Sequence, residues 1–157
     1  GPTYILQEDP DYPENMKGVR CFKHAEHGPL LPIASSYIID NLPFIKGAGT
    51  EVTVNIVNEK IEYVKMRFLE AYSSSFLTAL SEKYGNPSTS KNTVYQNGFG
   101  ESFDGITATW TMPDAVLTFT QYDGDKDWGR VELMSNSYRT QLNKAYDSSM
   151  QNIKDKM

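Results

Sequence analysis

The sequence predicts a single α+β domain. It comprises one twisted antiparallel sheet, made of a hairpin over 51–68 and a meander over 106–137, packed by helices at about 72–84 and 138–155. Three observations carry that expectation. Apolar residues alternate through Glu51–Val57 and again through Ile106–Met112, the period-two pattern of half-buried strands. After Leu69 the apolar spacing lengthens to four and then stops at a glycine and a proline, as a helix does. Short polar turns join the later strands, so sequence neighbours run antiparallel. Helices covering such a sheet complete a layered α+β domain, and 157 residues suit one domain with its own core.

Taken in order, Gly1-Pro2 reads as the scar of a cleaved expression tag, and 3–18 as an extended, weakly ordered arm rich in Pro, Asp, Glu and Asn. The domain proper is expected over 19–157. Val19, Cys21 and Phe22 suggest a short strand, and 24–29 a turn. Ser35–Leu42 fits a strand or a short helix, since periodicity cannot decide over so few residues. Lys46–Thr50 reads as a flexible connector.

In the first hairpin, Val52, Val54 and Ile56 share one face. Asn58-Glu59-Lys60 is the break, and the return strand places Val64, Met66 and Phe68 on one side with Ile61 and Tyr63 on the other. Tyr72, Phe76, Leu80 and Tyr84, with Ala79 beside them, form a helical stripe. Ser73, Ser74 or Ser75 is the expected cap; Gly85 and Pro87 end the helix. Ser88–Asn92 reads as a polar loop, and Val94-Tyr95 as the start of a strand.

The meander follows. Ile106, Ala108, Trp110 and Met112 point one way and three threonines the other. Pro113-Asp114 turns the chain, Leu117 and Phe119 face inward on the return, and Val131 and Leu133 on the strand after it. Tyr138, Leu142, Ala145, Tyr146, Ser149 and Ile153 then fall at helical spacing, with Ser137 as the expected cap.

Composition excludes several function classes. The net charge of −5 opposes binding to a nucleic-acid backbone, which needs clustered Lys and Arg. No apolar run approaches the roughly 20 residues of a membrane span. A single cysteine forbids an internal disulfide, which a reducing compartment permits and an exported chain can tolerate.

Few residue clusters point to chemistry. Cys21, His24 and His27 are the candidate metal ligands, a thiolate and two imidazoles suited to zinc or copper; the alternative is a cysteine packed inward and two solvated histidines. Asp123, Asp125 and Asp127 open like a calcium loop, but Trp128 and Met134 stand where that loop needs glycine and glutamate. Ser73–Ser75 lacks the glycines of a nucleophile elbow, and 47–50 lacks the lysine of a phosphate loop. No cofactor is expected. The remaining candidate surface is the glycine-rich stretch Asn97–Asp104, with Phe99, Glu101, Phe103 and Asp104 as the partner-binding set, unless both phenylalanines tuck under the sheet.

The block Val52–Ser137 resembles a group of small exported bacterial proteins of unknown function, some from phages and prophages. The resemblance lies in a strand pair, a helix ending in Lys83-Tyr84-Gly85-Asn86-Pro87, and a meander bearing Trp110. It implies an envelope location and carries no catalytic residues. Such proteins often pair an upstream cysteine with a second one; this chain has Cys21 alone. The leading expectation is a non-enzymatic domain, periplasmic or secreted, that binds another protein as an inhibitor, immunity or accessory factor. The rivals are a metal protein or metal-dependent enzyme using Cys21, His24 and His27, a structural envelope protein, and a cytoplasmic location.

Overall fold

The computed structural model describes residues 20–23, 34–40 and 50–157. The arm over 3–18, the turn containing His24 and His27, and most of the 46–50 connector lie outside the described residues. Within them stands a single antiparallel sheet of eight strands with two α-helices. The strands are β1 (Arg20–Lys23), β2 (Ser35–Asp40), β3 (Glu51–Val57), β4 (Lys60–Leu69), β5 (Thr89–Gln96), β6 (Ser102–Thr111), β7 (Ala115–Thr120) and β8 (Trp128–Ser135). The helices are α1 (Ser73–Tyr84) and α2 (Asn136–Asp155). The spatial order is β1-β2-β3-β4-β8-β7-β6-β5. After β4 the chain crosses one face as α1, enters the far edge as β5, and winds back until β8 pairs with β4.

The β3–β4 turn holds two residues, Asn58 and Glu59, at φ 50 and 64. Positive φ at both central positions matches the right-handed twist of the flanking strands. Lys60, expected in the turn, instead pairs with Val57. The register then shifts. Ile56 faces Ile61 while Asn55 faces Tyr63, so Glu62 is an extra residue on β4. Cross-strand partners share a face, so this bulge separates Ile61 from Tyr63, which simple alternation had placed together. Ile61 is left largely exposed.

The core lies on the α1 face. Phe68, Phe76, Ala108, Trp110, Leu117, Phe119 and Val131 are buried there, and Leu77 and Leu80 pack against them. Phe68 is wholly inaccessible to solvent. Its ring stacks on Phe76 at 4.2 Å and rests against the backbone of Gly129, its partner across the β4–β8 ladder, where a Cβ would come within 2.5 Å of the ring. Ala79, expected in the helical stripe, is exposed, and Leu77 takes its place.

No serine side chain caps α1. A 3-10 turn at Glu70–Tyr72 leads into the helix, Tyr72 is the N-cap residue, and Ser73 is buried with its hydroxyl unpartnered among the described residues. The other end follows expectation. Gly85 takes φ 82 and donates its N–H to the Ser81 carbonyl. Its own carbonyl accepts a 2.8 Å hydrogen bond from Trp110 Nε1, which ties the helix stop to the C-terminal end of β6.

Residues 88–92 differ from expectation, because Thr89–Asn92 belongs to β5. An edge strand exposed on both sides needs no apolar alternation, so its polar residues read as a loop. The cap of α2 also differs. Ser135 Oγ, not Ser137, accepts the Tyr138 N–H at 3.0 Å. The serine that caps is the one still in the extended backbone that a cap requires.

Tyr138 seats α2 on the second face of the sheet. It is buried with Ala34 and Val57, stacks on Tyr63 at 5.6 Å, and accepts a 2.8 Å hydrogen bond from Asn55 Nδ2. Leu142 and Ala145 pack into the same cluster, whereas Tyr146 and Ile153, expected in the buried stripe, are exposed.

Candidate binding cleft

Two turns at one end of the sheet build the site. The β5–β6 turn is organised by Asn97. Its Oδ1 accepts from the N–H groups of Phe99 and Glu101, both at 3.0 Å, and its Nδ2 donates to Glu101 Oε2 at 3.0 Å. Gly100 supplies φ 84, which a side chain would strain. The turn thereby satisfies its own polar groups while Phe99 stands 97 % exposed.

The β7–β8 turn is pinned from the sheet. Asp123 accepts from Arg67 Nε at 2.9 Å and lies 3.1 Å from Arg130 Nη1. The Arg67 guanidinium in turn lies 5.1 Å from the centre of the Trp128 ring. Asp125 Oδ1 accepts from the Asp127 N–H at 2.8 Å, a local turn bond of the kind aspartate favours. The Asp127 carbonyl accepts from the Glu70 N–H, joining this turn to the start of the helical crossover. Asp123 through its carboxylate, Asp125 through one carboxylate oxygen and Asp127 through its backbone thus build and hold the turn, and among the described residues no group of three or more His, Cys, Asp or Glu is placed to hold a metal ion.

Between the turns lies an open cavity of about 490 Å³. Its walls are the rings of Tyr95, Phe99, Phe103 and Tyr122. Tyr95 and Phe103 are cross-strand partners and so share a face. Gly105 makes room for them. A Cβ at that position would come within 2.5 Å of the Tyr122 ring and 2.9 Å of the Tyr95 ring. Both tyrosines therefore lie down on bare backbone, meeting at 5.5 Å and 73°. Phe103 meets Tyr122 at 5.9 Å and 50°. The phenol of Tyr122 is pushed above its ordinary pKa, first by burial and then by the nearby carboxylates of Glu70 and Asp104. Glu101, Asp125 and Asp127 contribute carboxylates to the lining, and Lys126 an ammonium.

The structure brings together Phe99, Glu101 and Phe103 from the set expected on sequence. Neither phenylalanine tucks under the sheet: Phe99 is exposed and Phe103 half-buried. Asp104 does not belong with them. It pairs with Val94 in the opposite sense of the pleat, so it faces away from Phe103. The sequence reading missed Tyr95, Tyr122, Asp125 and Asp127. One signal was available, a glycine at 105 beside a strand pattern, which often marks close approach over the backbone. Of the proposed metal set, Cys21 lies in β1 opposite Ile39, and His24 and His27 fall outside the described residues.

Compared with known proteins, the chain matches no protein-family model, no curated protein and no solved structure.

Proposed function

We propose that this chain is a binding domain that engages another protein through the aromatic cleft, as an inhibitor, immunity or accessory factor of the bacterial envelope. The carrying observation is Phe99, held 97 % exposed by a turn that meets its own hydrogen-bonding needs. Large aromatics at the mouth of a preformed pocket are the residues that dominate protein interfaces. A rigid turn also lowers the entropy lost when a partner docks. The envelope setting rests on the resemblance carried by Lys83–Pro87 and Trp110.

The test is capture of the partner from extracts of the native host, followed by affinity measurement with the purified pair. Phe99→Ala is expected to weaken binding by about thirtyfold while leaving the thermal midpoint unchanged. Undiminished affinity in that variant would remove the cleft from the interface.

A further inference from the structure

We infer that the cleft is a receptor for a cationic side chain, the guanidinium of an arginine displayed by a protein partner. This rests on the protein-binding reading and specifies its chemistry. Two features of the cavity converge on a cation. The first is the arrangement of the rings. Tyr95 and Tyr122 meet at 73° and Phe103 and Tyr122 at 50°, so they form a corner. A compact cation is held where several aromatic rings converge. The second is charge. The lining holds three carboxylates, Glu101, Asp125 and Asp127, against the single ammonium of Lys126.

Those carboxylates are available. None of the three forms an ion pair with a described residue. Glu101 engages Oε2 with Asn97, and Asp125 engages Oδ1 with the Asp127 amide. The second oxygen of each has no hydrogen-bond partner among the described residues. Guanidinium fits this better than ammonium, because it can stack on a ring while its in-plane N–H groups reach carboxylates at the rim. A volume of about 490 Å³ also admits the residues flanking such an arginine.

The experiment titrates the full chain with N-acetyl-arginine amide and, separately, with its neutral isostere N-acetyl-citrulline amide. Backbone amide shifts of Gly98 and Gly124, one on each turn, report binding. The arginine derivative is expected to move both, at millimolar affinity that weakens as salt is raised. The citrulline derivative is expected to bind at least about tenfold more weakly. The double variant Glu101→Gln with Asp125→Asn keeps the internal turn bonds and removes two charges; it is expected to weaken arginine binding about fivefold. Equal response to both probes, or none to either, overturns the inference. Should Phe99→Ala still weaken partner binding in that case, the protein-binding reading survives and only the cation falls. Should the arginine probe bind while Phe99→Ala leaves partner affinity intact, the cation site stands and the protein-binding reading falls.

Discussion

The two helices carry apolar stripes of the same spacing and meet different fates. α1 lays Phe76, Leu77 and Leu80 on a sheet face that offers Phe68, Phe119 and Val131. α2 buries Tyr138, half-buries Leu142 and Ala145, and then projects with Tyr146 and Ile153 in solvent. Part of the reason is length, since its 20 residues extend about 30 Å. The rest is the surface beneath. On the α2 face, β6 and β7 present paired threonines, Thr107 with Thr120 and Thr109 with Thr118, and β4 and β8 present Arg67 and Arg130. Apolar periodicity shows which side of a helix can be buried. The opposing surface decides whether it is.

The sharpest way to break this contrast is at Phe68. Phe68→Ala empties the centre of the α1 face and is expected to cost about 3–5 kcal/mol, read from the denaturant midpoint. The α2 attachment should be weaker and more polar. Tyr138→Phe leaves Asn55 Nδ2 without its acceptor in a buried site, an expected cost of about 1–3 kcal/mol. A cost near zero would show that water reaches Asn55.

The alkaline limb sharpens the comparison further. Tyr63, beneath α2, is half-buried and donates to Glu132 at 2.5 Å, and both effects hold its phenol well above the ordinary value of 10.0. A raised folded-state value means that the fold favours the neutral phenol. The stability it contributes is therefore complete below pH 10.0 and is lost as pH rises beyond it. Unfolding midpoints between about pH 10 and 12 should fall more steeply in the wild type than in Tyr63→Phe. Tyr138, also raised by burial, maintains part of the slope in the variant. The smallest effect belongs to the projecting half of α2. Tyr146→Ser with Ile153→Ser should change stability by no more than about 0.5 kcal/mol, and a larger loss would mean that this stripe is covered in solution.

Much of the fold is legible in the sequence because the signals are local. The alternation at Ile106–Met112 marks a strand in any fold that buries one of its faces. Gly85 and Pro87 stop α1 for backbone reasons that need no partner. Phe99 and Phe103 sit close enough in sequence to be seen together, and both line the cleft.

What only the tertiary structure decided depends on residues far apart in the chain. The Glu62 bulge arises from how β3 and β4 pair, and it redirects Ile61. β5 is a strand over 89–92 because β6 supplies its hydrogen bonds; the side chains there carry no strand pattern. Asp104 is close to Phe99 in sequence yet lies on β6 and faces away from the cleft, because the β5–β6 register sets its side of the pleat. Tyr122 reaches Tyr95 only because β7 folds back beside β6 and Gly105 leaves the backbone between them bare. Local periodicity and stop residues act through neighbouring peptide units and are written along the chain. The cleft is made by two turns meeting across a sheet, and strand order and register, which no short window of sequence contains, bring them together.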